Sequence, residues 1–485
     1  MAEQKVRTRF APSPTGYMHI GNLRTALYGY LYAKAQHGDF ILRIEDTDRS
    51  RYVADAVDFI RRTLDLAHIH PDEGPGFGGD CGPYVQSERT DLYKKYAEEL
   101  VKSGHAYYCF CAEEDHTAGE FSGYDRTCRD LPQDVIDAHL AAGDPYVIRQ
   151  KMPLTGATTF FDVLHGSITI QNAELEDQVL LKRDGMPTYN FANVIDDHLM
   201  GITHIMRGAE FITSTPKYIL LYESFGWDVP TFIHLAPVMG KNEDGSISKL
   251  SKRHGATSFE DLVKAGYLPE AITNYVALLG WNPKTTNQEI FSMNELIEAF
   301  RLDGLSKSPA VFDYAKLGWI NGEYLKAMED EAFQKLARPY FGDLPEYLES
   351  AYATLCTLLK TRITHLSELP QEIAFLTSQP AFDAALYTNK RNKATPEKAK
   401  ELLPAMIGLL ETVGDDDWNN AALYEKLNAY IEETGVKKGL AMWVLRIAAA
   451  GKAVTPGGAT EILTLLGRNV SLERLKKSLA NLNEI

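Results

Sequence analysis

The sequence is short of cysteine, of long apolar runs and of positive charge, and each shortage excludes a class of protein. Five cysteines in 485 residues are too few for a disulfide scaffold, so a reducing compartment, the cytoplasm, is expected. No stretch reaches the ~18 uninterrupted apolar residues that a membrane helix needs, and Arg446 interrupts the best candidate, residues 440–450. The first ten residues are polar and charged, without the apolar core of a signal peptide. We therefore expect no membrane partner.

The shortage of positive charge holds for the whole chain but not for every part of it. Lys and Arg number 50 against 66 Asp and Glu, a formal net charge of -16, which by itself argues against a nucleic-acid partner. Residues 387–400, however, hold five basic residues against one acidic, and residues 436–485 hold eight against three. Residues 411–435 hold one against seven. We expect such basic stripes to bind a phosphate backbone, while the acidic faces limit non-specific RNA binding.

The composition is that of a folded protein with several domains. Hydrophobic residues make up 45% and charged residues 24%, as in ordinary globular proteins, and the length predicts roughly three domains. A strand at 6–10, a helix with Asn22 as its N-cap and a strand at 40–44 predict a parallel βαβ unit. Short β-rich runs within 105–186 predict an inserted subdomain, and the patterns beyond about 325 are helical.

A turn-rich segment, residues 11–16, separates the first predicted strand from His19-Ile20-Gly21-Asn22 and a helix. Gly21 allows close approach of a ligand, and a helix N-terminus offers free N–H groups to phosphate. His19 adds a donor. Nothing here matches GxGxxG or GxxxxGK[ST], which disfavours a dinucleotide fold or a P-loop ATPase. The competing interpretation is a tight turn capped by a histidine.

A second candidate phosphate-binding segment is Lys249-Leu250-Ser251-Lys252-Arg253, which follows a turn at Gly245. Three cations on one loop can neutralise a triphosphate and the pyrophosphate that leaves it. A solvated surface run is the competing interpretation.

The two segments together resemble the "HIGH" and "KMSKS" signatures of class I aminoacyl-tRNA synthetases. Asn22 stands where the first signature has a second histidine, and Asn can still cap a helix and donate. Further stretches resemble the bacterial glutamyl-tRNA synthetase family: residues 43–48, 82–84, 86–89, 187–198, 312–313 and 317–322.

This resemblance implies an α/β fold, with a Rossmann-type catalytic domain, an inserted α+β connective subdomain and an all-α anticodon-binding region. The implied boundaries are 1–104 and 187–255 for the two catalytic halves, 105–186 for the insertion, 256–324 for a helical region contacting the tRNA stem, and 325–485 for the anticodon-binding domain.

The resemblance also implies the substrate contacts. Those to L-glutamate are Arg9, Ser13, Glu45, Tyr189, Asn193 and Arg207. Those to ATP are Pro12, Thr15, His19, Gly21, Asn22, Lys249, Ser251, Lys252 and Arg253, with His19 and Lys252 acting catalytically. Since Arg pairs bidentately with carboxylate, Arg207 is expected to hold the side-chain carboxylate and Glu45 to accept from the ammonium group. For Arg207, a structural ion pair is the competing interpretation.

Two kinds of metal site are open to prediction. Cys109, Cys111 and Cys128 fit a structural zinc knuckle by their spacing. The resemblance implies a fourth ligand at Asp130, with Glu113 and His116 as rivals and a vestigial site as the alternative. The acidic clusters 45–48 and 196–198 could hold a metal by composition, but the resemblance favours pocket and structural roles for them, with Mg²⁺ arriving on ATP.

The implied reaction is glutamyl-adenylate formation followed by transfer to tRNA(Glu). Whether tRNA(Gln) is also charged stays open, and a monomer is expected. The competing functions are a glutaminyl enzyme, which the helical C-terminal pattern disfavours, and a shortened paralogue that modifies a queuosine base, which lacks the last ~160 residues. A nucleotidyltransferase acting without RNA and an RNA-binding relic are the others.

Overall fold

The computed structural model describes residues 5–14, 18–48, 53, 55–111, 124–255 and 257–484, apart from the Lys252 side chain. The strands are β1 (Arg7–Phe10), β2 (Asp39–Leu42), β3 (Ala106–Cys109), β4 (Val147–Gln150), β5 (Ala157–Asp162), β6 (Gly166–Gln171), β7 (Val179–Leu181), β8 (His204–Gly208), β9 (Thr231–Leu235), β10 (Val238–Lys241), β11 (Ile247–Lys249) and β12 (Ala310–Val311). The helices are α1 (Ile20–Ala35), α2 (Ala56–Leu66), α3 (Thr90–Lys102), α4 (Gln133–Ala142), α5 (Tyr189–Leu199), α6 (Thr215–Phe225), α7 (Phe259–Lys264), α8 (Pro269–Ala277), α9 (Met293–Ala299), α10 (Tyr314–Ala327), α11 (Asp330–Phe341), α12 (Glu346–Ser350), α13 (Tyr352–Lys360), α14 (Leu369–Thr377), α15 (Pro396–Glu411), α16 (Asn420–Thr434), α17 (Lys438–Ala450) and α18 (Ala459–Asn483).

The predicted parallel βαβ unit is confirmed. β1 pairs with β2 in parallel, and α1 connects them. The predicted start of this helix at Asn22 is wrong, because α1 begins at Ile20 with His19 as its N-cap. The His19 carbonyl already accepts from the amide of Asn22 at 2.9 Å, so Asn22 lies inside the first turn. A histidine is an unusual cap, and the preference for Asn at that position misled the prediction.

A second sheet has the strand order β6-β5-β9-β8. β8 and β9 run parallel, and β5 is parallel to β9 and antiparallel to β6. The backbone amide of Thr203, just before β8, donates to the carbonyl of Arg7 in β1 at 2.9 Å. Phe10 and Gly208, at the carboxyl ends of β1 and β8, line the same cavity, on the side where ligands bind in open α/β sheets.

The region predicted as an insertion contributes to two sheets. β3, β4 and β7 form an antiparallel sheet of their own. β5 and β6 instead extend the β8–β9 sheet, and the Asp162 carboxylate at the end of β5 accepts from the backbone amide of His234 in β9 at 2.9 Å. Part of the insertion is thus tied into the sheet that holds the candidate site.

The chain divides into two compact units, residues 1–264 with 269–317 and residues 265–268 with 318–485. The second unit contains α11–α18, and the predicted helical C-terminal region is confirmed. Its helices bury leucine-rich faces, as those of Leu403 and Leu463 show. Among the described residues, none of the helices has both the length and the apolar character needed to cross a bilayer.

Candidate active site

A cleft of about 340 Å³ opens at the carboxyl ends of β1 and β8. Its wall includes these predicted ATP contacts: Pro12, His19, Gly21, Asn22 and Lys249. It also includes these predicted glutamate contacts: Arg9, Ser13, Tyr189 and Arg207. The fold therefore brings together residues that lie up to 240 positions apart in the sequence.

Other predicted contacts lie elsewhere or are not described. Glu45 and Asn193 are buried and do not line the cleft, and neither do Ser251 and Arg253. Arg253 donates to the hydroxyl of Ser248 at 2.7 Å. Thr15 and the Lys252 side chain lie outside the described residues.

His19 presents one ring nitrogen to the helix and the other to the interior, where no described residue forms a close hydrogen bond with it. Nδ1 accepts from the amide of Gly21 at 3.1 Å, whereas Nε2 is buried and has no partner within hydrogen-bond distance in the described part of the chain. Burial and then the charge of Lys249 lower the pKa of His19, which the backbone of Leu250 partly opposes. The ring is therefore neutral at pH 7, and because Nδ1 accepts, the proton is on Nε2. This leaves a buried N–H for a ligand.

Arg207 is also held with one donor unused. Its Nε donates to Nε2 of His234 at 3.2 Å and its Nη2 to the hydroxyl of Thr215 at 3.0 Å. The guanidinium lies over the ring of Tyr218, 4.5 Å from the centroid. Nη1 is buried and none of the described residues accepts a hydrogen bond from it. A buried cationic donor in this state fits an anionic ligand group.

A buried charge network lies behind the cleft. Asp197 accepts from Arg9 at 3.0 Å and from Arg43 at 2.7 Å, and Arg43 also donates to Glu45 at 2.8 Å. Burial, the largest effect, would raise the pKa of Asp197, but the charges of Arg43 and Arg9 outweigh it and lower the pKa. Oε2 of Glu45 accepts from none of the residues that the structure describes. The network holds Arg9 and Glu45 in fixed positions beside the cleft.

The neighbouring Asp196 extends this network. It accepts from Arg89 at 2.7 Å and from the hydroxyl of Tyr93 at 2.8 Å. His198, from the same acidic cluster, stacks on Trp227 with ring centroids 3.6 Å apart. These partners favour a bracing role over metal binding.

The three predicted zinc-binding thiols do meet. The sulfur atoms of Cys109, Cys111 and Cys128 all lie within 4.8 Å of one another, and those of Cys111 and Cys128 are 3.2 Å apart. Asp130 is not brought to them, because its carboxylate is 78% exposed and pairs with Lys151 at 2.9 Å. Glu113 and His116 lie outside the described residues. Three thiols this close suit a soft metal ion.

Two residues at this site escaped the sequence-based prediction. His234 and Asp162 lie directly behind Arg207, with His234 opposite it across the strands. No local motif contains either residue, and a histidine in an apolar strand is typical of a satisfied core position. A tertiary contact of this kind leaves no sequence pattern.

Two sequence families match the chain. The family described as tRNA synthetases class I (E and Q), catalytic domain, matches residues 5–319. The anticodon binding domain family matches residues 332–479.

Curated relatives and solved structures match over nearly the whole length. Glutamate–tRNA ligase of Clostridium botulinum (strain Eklund 17B / Type B) is 51% identical over 488 residues, which is 99% of each chain. That of Clostridium tetani (strain Massachusetts / E88) is 49% identical over 495 residues and 100% of each chain. A crystal structure of a glutamate tRNA ligase from Elizabethkingia meningosepticum, in complex with its amino acid, superposes with a TM-score of 0.87 at 35% identity, covering 99% of this chain and 100% of that one.

Proposed function

This chain belongs to the class I tRNA synthetases for glutamate and glutamine, and we propose from that premise that the cleft between β1 and β8 is where glutamate and ATP react. The chain is an aminoacyl-tRNA ligase with the activity of its glutamate–tRNA ligase relatives. The glutamate α-carboxylate attacks the α-phosphorus of ATP, giving glutamyl-adenylate and pyrophosphate. A terminal ribose hydroxyl of tRNA(Glu) then attacks the acyl carbon and releases AMP.

Arg207 is proposed to recognise the glutamate side chain. The observation that carries this is its buried Nη1, which has no hydrogen-bond partner among the described residues and belongs to a guanidinium that lines the cleft. A carboxylate satisfies that donor with a charge-assisted bond. Arg9, Ser13 and Tyr189 complete this part of the wall. Glu45 and Asn193, behind them, are proposed to contact the amino acid once it is bound.

Glu45 is the proposed acceptor for the ammonium group. Its Oε1 accepts from Arg43 at 2.8 Å, and its Oε2 has no hydrogen-bond donor among the described residues. Burial raises the pKa of Glu45, against the charges of Arg43 and Arg9. An incoming ammonium group would supply the missing partner and favour the ionised form.

The phosphates of ATP are proposed to lie at His19 and the start of α1, with Mg²⁺ bound to ATP itself. The free Nε2–H of His19 and the N-terminal amides of α1 support this position, since both favour an anion. Pro12, Thr15, Gly21 and Asn22 would flank the nucleotide. The cations Lys249, Lys252 and Arg253, with Ser251, would stabilise the charge on the departing pyrophosphate. The nucleophiles belong to the substrates, so catalysis comes from position and charge.

Charging of tRNA with labelled glutamate tests this function. We expect the purified chain to attach glutamate to tRNA(Glu) in the presence of ATP and Mg²⁺. We do not expect it to attach glutamine. Parallel reactions with tRNA(Gln) decide whether it is a second substrate. Light scattering tests the proposed monomer. A cytoplasmic location is proposed because the chain is expected to act in translation. Failure to charge any tRNA with either amino acid contradicts the proposal.

We further propose that Cys109, Cys111 and Cys128 hold a structural zinc ion. Cys109 and Cys128 are buried, and thiolate sulfur is a preferred zinc ligand. The fourth ligand is proposed to be Asp130, which must then leave Lys151. Zinc would join β3 to the segment that carries Cys128 and stabilise this subdomain without taking part in the reaction.

Substitution of Cys111 by serine should remove the metal. We expect about one zinc ion per wild-type chain by atomic absorption, much less in Cys111→Ser, and a lower melting temperature for that variant, because metal binding contributes to folding free energy. Cys356→Ser, a buried cysteine of the second unit, controls for loss of a thiol. Asp130→Asn tests the fourth ligand. Wild-type protein without zinc and indifferent to chelators would contradict the site.

A further inference from the structure

Arg207 is supported from behind by a buried histidine–carboxylate pair. Arg207 in β8 lies opposite His234 in β9. His234 in turn contacts Asp162 at the end of β5, with Nδ1 and Oδ2 2.8 Å apart. The side chains of both His234 and Asp162 are completely buried. A contact chain therefore runs from Asp162 through the imidazole to the guanidinium that lines the cleft.

The surrounding groups determine which atoms carry the protons in this series of contacts from Asp162 to Arg207. Asp162 accepts from the backbone amides of Leu164, His165 and His234 at 2.8–2.9 Å, so its carboxylate is held as an acceptor. Burial is the largest effect on His234 and lowers its pKa; the charges of Arg207 and His165 add to this, and Asp162 opposes it. A neutral ring that donates from Nδ1 to Asp162 must offer a lone pair at Nε2.

That lone pair accepts from Nε of Arg207. The neighbouring hydroxyl of Thr215 accepts from Nη2 of Arg207 and itself donates to the carbonyl of Phe211 at 2.9 Å. Two nitrogens of the planar guanidinium are thereby fixed. Because the group is rigid, the direction of the third nitrogen, Nη1, is fixed as well.

We propose that Asp162 and His234 are positioning residues that set the preference for glutamate over glutamine by aiming Nη1 of Arg207 at the substrate side chain. A carboxylate satisfies a fixed cationic donor, whereas the amide of glutamine offers only a neutral oxygen and a competing N–H group. A guanidinium free to turn would discriminate less. The inference rests on the proposed function, because it assumes that Arg207 contacts glutamate.

Two substitutions separate positioning from general packing. His234→Asn keeps a donor near Asp162 but is too short to reach Arg207. Asp162→Asn removes no heavy atom, yet its amide can donate to Nδ1, which moves the ring proton to Nε2, against the N–H of Arg207. For both variants we expect the KM for glutamate to rise by about tenfold or more, the usual effect of losing a hydrogen bond to a charged group. The KM for ATP should change less than about twofold.

His204→Asn is the matched control. His204 is three residues from Arg207 in β8 and so points to the opposite face of the sheet. Glutamylation of tRNA is followed with glutamate and ATP varied separately, with glutamine as a competing substrate and with melting temperature recorded. We expect the loss of discrimination against glutamine to accompany the rise in KM for glutamate, and His204→Asn to resemble wild type in both.

An unchanged KM for glutamate in folded variants overturns the inference. Equal rises in the KM for glutamate and the KM for ATP also overturn it, because they indicate general damage.

If His234→Asn does not fold, Asp162→Asn and His234→Gln allow the same comparison. His234→Gln retains an acceptor near Arg207, so its KM for glutamate should be closer to that of the wild type. If the wild-type protein does not charge tRNA with glutamate, the proposed function is contradicted. If the wild type charges tRNA with glutamate but the variants keep its KM for glutamate, only this inference is overturned.

Discussion

Arg207→Gln is expected to raise the KM for glutamate by about 10²–10³-fold and to leave the KM for ATP within a fewfold. The substitution removes the charge of a buried guanidinium that lines the cleft and has a donor unused by the described residues. The glutamate carboxylate would then be buried without its cation. Breaking a buried ion pair on one side costs about 3–5 kcal/mol, and each 1.4 kcal/mol is about a factor of ten in affinity.

The measurement is tRNA glutamylation with each substrate varied in turn. Arg61→Gln removes a partly exposed arginine outside the cleft and controls for the loss of positive charge. Arg207→Lys keeps the charge but not the fork that contacts His234 and Thr215, so it should recover only part of the affinity. A KM for glutamate unchanged in Arg207→Gln would exclude the assigned role.

His19→Asn is expected to lower the rate of adenylate formation by about 10²–10³-fold, the effect of losing one donor that stabilises a transition state. Asparagine retains a side-chain oxygen for the amide of Gly21, which Nδ1 of His19 contacts at 3.1 Å, and it is itself a good N-cap. It has no atom at the position of Nε2. The helix should therefore remain stable while the buried donor is lost.

Rapid quenching of adenylate formation, with tRNA present, measures this rate directly. The KM for glutamate and the melting temperature should change little, which distinguishes a transition-state role from binding or folding. His37→Asn, an exposed histidine beyond the other end of α1, is the control. A variant that forms adenylate at the wild-type rate would show that Nε2 is not used. Because burial lowers the pKa of His19 below its ordinary 6.5, the wild-type rate should not fall until the pH is below that value.

The features of the fold that the sequence predicts come mostly from local patterns of neighbouring residues. The strand and helix around His19 are contiguous segments, and the parallel βαβ unit that they predict is present. The predicted N-cap of α1, Asn22, lies three residues beyond the observed one, because the cap is a histidine rather than the asparagine that statistics favour.

Contacts between distant segments could not be predicted. The Asp162–His234–Arg207 chain joins three strands whose register depends on the whole sheet. Asp130 is exposed and pairs with Lys151, a contact across 21 residues that motif spacing does not encode. The assignment of β5 and β6 to the β8–β9 sheet is likewise a result of tertiary pairing.

The buried charge network also affects how the chain can fold while it is being synthesised. Its arginines, Arg9, Arg43 and Arg89, all precede the inserted region, whereas the carboxylates Asp196 and Asp197 follow it. Asp196 lies 107 residues after Arg89, so at about 5–20 residues per second the ribosome needs roughly 5–20 s to supply the partner. During that interval Arg9 and Arg89 lack their aspartate partners and must stay hydrated, whereas Arg43 already has Glu45 beside it. The nascent chain therefore completes its amino-acid site only after the insertion has emerged.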